Sequence, residues 1–279
     1  MKKYAAPLFM LAIFETIAVS LWLAKDNIFY LFNFSYIGCA LALGLTLYAC
    51  RKPYARRVVQ LLVGSYMLLY LGILCGENMQ IEGFWYYLFL GVFEAATIHY
   101  AVAKIFGPLV FGRGWCGYAC WTAMVLDFLP YRQPEAPRRK SLEKLRGLTF
   151  VLALVFVASL FLFGIEGKEK IMWYSFLIGN AAYYAAGIAL AFALRDNRAF
   201  CKYLCPITIF LKPMSRFSLM RICADESKCV SCGKCRRVCP MNVQPDRPFS
   251  CRENRTECIL CMQCMDACPR GALDLRLKK

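Results

Sequence analysis

Six apolar stretches, at about residues 5–24, 28–49, 57–75, 84–106, 147–164 and 172–194, are each long enough to cross a bilayer. In hydrocarbon every backbone N–H and C=O must be bonded within the structure, so such stretches predict helices. Hydrophobic residues make up 59% of the 279-residue chain and charged residues 19%, against about 45–50% apolar in soluble domains. Disorder is excluded by this apolar mass. The net charge of +16, from 34 basic and 18 acidic residues, would by itself suit nucleic acid. Paired with an oily body it indicates a basic membrane face, able to meet anionic lipid, and no nucleic-acid partner. The first stretch reads as a retained helix rather than a signal peptide, because Glu15 interrupts it and no small-x-small cleavage site follows.

Loop charges orient the bundle. Lys2 and Lys3, then Arg51, Lys52, Arg56 and Arg57, then the run from Arg132 to Arg146, then Arg195 and Arg198 fall on one side. The opposite loops, with Lys25 and Asp26, Glu77 and Glu82, and residues 166–170, carry little net positive charge. The positive-inside rule then puts both termini in the cytoplasm of a multi-pass protein of the inner (cytoplasmic) membrane. Residues 117–129 are apolar but short and read as a helix at the membrane face; residues 131–146 separate two halves. The expected domains are a membrane part over 1–214 and a soluble part over 215–279.

The soluble part carries the most specific motif. Cys229, Cys232, Cys235 and Cys239 precede Pro240, and Cys258, Cys261, Cys264 and Cys268 precede Pro269. This doubled C-x2-C-x2-C-x3-C-P run is the bacterial two-cluster ferredoxin pattern, in which the fourth cysteine of each run serves the other cluster. The expected sets are Cys229, Cys232, Cys235 and Cys268 for one [4Fe–4S] cluster, and Cys239, Cys258, Cys261 and Cys264 for the other. Cys223 and Cys251 do not match the motif and are left out. Cys39, Cys50 and Cys75, single and unpatterned, read as packing residues. Lys228, Lys234, Arg236 and Arg237 offer a surface for an acidic soluble carrier such as a ferredoxin or flavodoxin, for anionic lipid, or for solvent alone.

A second pattern is repeated within the membrane part, over about 84–130 and 172–214. RGWCGYAC ends with Cys116 and Cys120, and RAFCKYLC ends with Cys201 and Cys205; Arg113 and Tyr118 correspond to Arg198 and Tyr203 at the same offset. If helical, each pair puts two thiols on one side, and the two pairs converge at one membrane face. Four thiolates can hold an iron–sulfur cluster, zinc or copper(I), act as dithiol pairs, or serve as buried structural cysteines.

On the residues 116–120, 201–206, 229–240 and 258–269, the chain resembles the membrane polyferredoxins. That group includes the quinol dehydrogenase subunit of periplasmic nitrate reductase, the nitrous oxide reductase regulator and the ferredoxin-type accessory protein of a copper haem oxidase. The resemblance implies cytoplasmic C-x3-C-P pairs at helix ends, a two-cluster ferredoxin segment, and redox partners in or beyond the membrane. The chain departs from the group at Trp121, where the first pair usually has proline, and in its extra N-terminal spans.

Inside the predicted spans, Glu15, Glu94 and His99 are candidates for proton transfer at a quinone headgroup or, for His99, metal ligation. With a single histidine, a bis-histidine haem within the chain is excluded. No nucleotide fingerprint is present. The expected fold is an all-α polytopic membrane bundle of about six transmembrane helices with a C-terminal α+β two-[4Fe–4S] ferredoxin domain. The expected function is electron transfer between a soluble carrier and a quinone or membrane redox partner, as an oxidoreductase subunit. The alternatives are copper-ion reduction at the membrane face and a redox-sensing or assembly anchor.

Overall fold

The computed structural model describes residues 4–93, 95–247 and 256–277. Five helices are long and apolar enough to cross a membrane, and the chain is a membrane protein with little sheet. Helix α1 (Ala5–Lys25) ends where Asp26 takes a left-handed conformation, and α2 (Ile28–Ala49) starts at once, with Asn27 accepting from the Phe29 amide at 2.9 Å. The two form a hairpin. Helix α3 (Ala55–Ser65) continues as a π-helix to Leu74, and Gly72 leaves the space that the Phe176 ring fills. Helix α9 (Leu145–Leu162, entered through a 3-10 turn) and helix α10 (Lys168–Leu194) complete the five.

The fourth expected span is not one helix. It divides into α4 (Ile81–Phe89) and α5 (Ala95–Tyr100), and α5 runs on as a π-helix (Ala101–Phe106) into α6 (Gly107–Phe111). The breaks have local causes. Gly91 takes φ +70° between α4 and α5, and Pro108 in the first turn of α6 lacks the N–H that a regular ladder needs. Nine residues span only about 13 Å, so α4 cannot cross alone. Instead the chain leaves Leu74, turns at Gly76 (φ +74°) and re-enters the bundle. Asn78 anchors it by donating to Met172 O (2.9 Å) and Ser175 Oγ (3.0 Å) on α10. Helix α4 then climbs back out. Its start packs on Tyr100 and Phe210, and its end packs on Phe161 near the end of α9. Glu82, expected in a loop, is thereby carried into the bundle.

After α6 come two short helices, α7 (Gly114–Tyr118) and α8 (Trp121–Leu126). After α10 come α11 (Ala199–Tyr203) and α12 (Thr208–Ser215). The pairs α7/α8 and α11/α12 are structural repeats. Cys120 N donates to Trp115 O (3.2 Å), and Cys205 N donates to Phe200 O (3.0 Å). The ferredoxin part pairs β1 (Met220–Ala224) antiparallel with β2 (Leu273–Leu277), Ile222 opposite Leu275, and adds two single-turn helices, α13 (Lys234–Arg237) and α14 (Gln263–Asp266).

Candidate iron–sulfur sites at the membrane face

The two ferredoxin motifs fold alike. Ser231 and Gly233 take positive φ in the first, and Leu260 and Met262 take it at the matching places in the second. Left-handed residues cost an L side chain about 1 kcal/mol or more each, so the loops are bent tightly for a purpose. They close two cavities of about 400 Å³, mouths included. Cys229, Cys232, Cys235 and Cys268 line one, together with Lys228, Lys234, Asp246 and Arg270. Cys239, Cys258, Cys261 and Cys264 line the other, where every further lining side chain is apolar. Four thiols and no other donor suit iron–sulfur ligation. Burial pushes the thiols of Cys239 up to about 11 and Cys258 up to about 12. Thiolates there need cluster iron as counter-charge. Cys223 sits on β1 opposite Asp274, away from both sets, and Cys251 lies outside the described residues.

Cys116 and Cys201 are buried in one apolar cluster with Ala123, Leu211, Cys239, Met241 and Ile259, and Cys120 packs against it. Cys205 lies within electrostatic reach of Cys116 and Cys120. The four thiols are brought together, but not as helical faces: Cys120 is already extended (φ −73°, ψ 117°), so each pair straddles the end of a single turn. Burial pushes Cys201 up to about 12 and Cys205 to about 11. Among the described residues, no group of three or more His, Cys, Asp or Glu side chains closes round a single ion. Trp121, where the second turn has proline, opens α8, and its Nε1 donates to Asn180 Oδ1 on α10 (2.8 Å).

Two buried carboxylates tie the turns together. Asp127 takes both arms of Arg198 (2.7 and 2.6 Å) and Arg56 (2.8 Å). Arg198 also donates to Cys116 O (3.0 Å) and approaches Cys201 Sγ (3.8 Å), while Arg56 donates to Gly117 O (2.9 Å). Burial pushes the Asp127 carboxyl up, but Arg198 and Arg56 outweigh it and hold Asp127 below the ordinary carboxylate range. Glu257, directly before Cys258, meets Arg113, Arg138 (2.8 Å), Arg146 (3.1 Å) and Lys212 (2.8 Å). Burial again opposes ionisation, and the four cations again win, leaving Glu257 far below the ordinary range. Arg146 reaches on to Cys201 O (3.1 Å). The segment 257–261 is thus seated on the first cysteine turn, where Tyr118 Oη donates to Leu260 O (2.9 Å). The repeat points to Arg113 and Arg198, and loop charge marks Arg56 and Arg146 only as cations of one membrane face; Asp127 and Glu257 belong to no motif.

The polar candidates within the spans part company. His99 packs edge-on against Trp115 (5.0 Å), and its Nε2 is buried without a protein partner. Lys104, overlooked in sequence, is buried with Nζ 4.5 Å above the Trp115 ring and within reach of Cys116, Cys120 and Cys205. Glu15 accepts from Ser35 Oγ (2.8 Å) within the α1–α2 hairpin and is not brought to the cysteines. Glu94 lies outside the described residues.

Comparison with known proteins follows this geometry. Residues 98–140 and 173–222, which contain the two cysteine turns, match a 4Fe-4S binding domain model, and residues 222–244 and 253–274 match another. The chain is 28% identical over 205 residues to an uncharacterized protein of Methanocaldococcus jannaschii, covering 72% of this chain and 79% of that one. It is 26% identical to YccM of Escherichia coli, named as an electron transport protein, over 63% of this chain and 54% of that one. It is 30% identical to the methylamine utilization ferredoxin-type protein MauN of Paracoccus denitrificans, over 49% and 51%. It spans about half the length of these last two. No solved structure matches it. The chain is a membrane protein with 4Fe–4S binding segments, similar in part to an electron transport protein and to a ferredoxin-type protein.

Proposed function

We propose that this chain is an electron relay of the cytoplasmic membrane, with its ferredoxin domain and both termini in the cytoplasm, and that Cys116, Cys120, Cys201 and Cys205 hold a third iron–sulfur centre. The observation that carries this reading is the seating of residues 257–261 on the first cysteine turn, with Cys116, Cys201 and Cys239 in one apolar cluster. When bound, iron–sulfur clusters supply one-electron carriers. The chain's residues supply spacing, shielding and counter-charge. The Cys229/Cys232/Cys235/Cys268 cavity, rimmed by Lys228, Lys234 and Arg270 and with Cys232 exposed, suits docking of an acidic soluble carrier of the ferredoxin or flavodoxin kind. The apolar Cys239/Cys258/Cys261/Cys264 cavity faces the bundle. The names of YccM and MauN agree with a redox role.

The acceptor in this reading is a quinone or a membrane redox subunit, as in the nitrate-reductase-type polyferredoxins. His99, whose buried Nε2 has no protein partner beside Trp115, is the residue that this reading assigns to proton exchange there. No observation favours a single copper or zinc ion at the four thiols. The test is iron and sulfide quantitation with EPR on anaerobically purified protein. About twelve irons, falling to about eight in Cys116→Ser/Cys201→Ser, is the expected result at four irons per cluster. About eight in both samples overturns the third centre. His99→Ala should slow delivery to the membrane acceptor with iron content unchanged.

A further inference from the structure

The re-entrant segment places three polar residues in a row against one helix, α10. Asn78, Gln80 and Glu82 alternate along the chain, and they meet α10 at successive positions. Asn78 bonds Met172 O and Ser175 Oγ, Gln80 Oε1 occupies the space a Cβ on Gly179 would fill, and Glu82 lies within electrostatic reach of Tyr183. Residues 172, 175, 179 and 183 recur at helical spacing and so lie on one face. At about 1.5 Å per residue they cover roughly 16 Å, from near the end of α10 remote from the ferredoxin domain to its middle. Beyond Glu82 the row continues in Tyr183 and Tyr100, both within electrostatic reach of Cys205.

This row is incompletely bonded by protein. Gln80 is 2% exposed, yet its Nε2 and Oε1 are both buried without a partner, and so is Glu82 Oε2. Buried polar atoms that lack a protein partner are characteristically satisfied by ordered water. A buried carboxylate without a cation is costly, and among the described residues no salt bridge reaches Glu82.

We propose that Asn78, Gln80 and Glu82 form a water-bridged proton path from the surface opposite the ferredoxin domain to the level of the four membrane-face cysteines, with Glu82 as its proton-carrying end. Its use in electron transfer rests on the relay reading above. Reduction of a quinone-class acceptor takes up two electrons, supplied by the soluble carrier, and two protons. Glu82 gives up its O–H proton and is reprotonated through water held by Gln80, one proton at a time.

The test uses the anaerobic holoprotein, with iron content checked for every variant. Infrared spectra of wild type minus Glu82→Gln should contain a carboxylic-acid C=O band that shifts promptly in D2O. Glu82→Asp, which keeps the acid, should move that band, and this identifies it even if the glutamine variant does not fold. Gln80→Met, of similar shape but without the amide, should slow the shift at least tenfold. Absence of a Glu82 band, or exchange unaltered by Gln80→Met, overturns the path. In a second arm, Glu82→Gln should slow reduction of decylubiquinone at least tenfold and leave reduction of ferricyanide, which takes no proton, unchanged. Equal rates with both acceptors overturn the proton-supplying role. A wild type that reduces no quinone overturns the relay reading instead, while the exchange arm still decides the path.

Discussion

Gly117 lies against the carbonyl oxygen of Ile259 with no room for a Cβ between them. The contact joins the first cysteine turn to the second ferredoxin motif, and backbone meets a rigid neighbour there. Gly117→Ala should push the two apart, leave iron in the ferredoxin sites and weaken magnetic coupling between reduced centres. Coupling equal to wild type in EPR would show that the approach is not what sets their separation.

Glu257→Gln keeps shape but removes the charge that four cations share. Breaking a buried ion pair costs about 3–5 kcal/mol, so the ferredoxin domain should loosen from the bundle. Limited proteolysis between residues 215 and 229 should become faster, at similar iron content. An unchanged cleavage rate would mean that Tyr118, Gly117 and the apolar cluster hold the domain without Glu257.

Asp127→Asn leaves Arg198 and Arg56 facing each other without their shared carboxylate. The expected outcome is a detergent-solution unfolding midpoint lowered by several degrees, the scale of a few kcal/mol in a protein this size, and faster alkylation of Cys116 and Cys201. A variant with wild-type midpoint and labelling would remove this network from the stability of the cysteine turns.

Lys104→Met removes a buried positive charge beside Cys116, Cys120 and Cys205. A cation favours the more negative, reduced state of any redox centre nearby. The potential of the proposed membrane-face centre should therefore fall in the variant, by about 59 mV for each tenfold loss in the one-electron equilibrium. An EPR-monitored titration reads this directly, and a potential that rises would contradict the placement.

Much of this was legible in sequence. The ferredoxin cysteines declare themselves by spacing, and the doubled cysteine turns by repetition from Arg113–Cys120 to Arg198–Cys205. The fourth span was misread because hydropathy averages over a window. Asn78, Gln80 and Glu82 looked like a loop because nothing local reveals that α10 offers them Met172 O, Ser175 and Tyr183. Asp127 and Glu257 were illegible for the same reason: a carboxylate's importance here lies in arginines up to 144 positions away, and only folding brings them to it.

The seat of Glu257 has a consequence for how such a chain is made. Its four cations come from the turn after α6 (Arg113), the middle linker (Arg138), the first turn of α9 (Arg146) and the helix after the second cysteine turn (Lys212). Without Glu257 these cations keep only Glu143, which reaches Arg138, Arg146 and Lys212 at the rim of the seat. The segment that carries Glu257 therefore brings a second anion to cations that four separate parts of the chain have gathered. Seating of the ferredoxin domain thus depends on both halves of the bundle being in place, because the cations that receive Glu257 come from each of them.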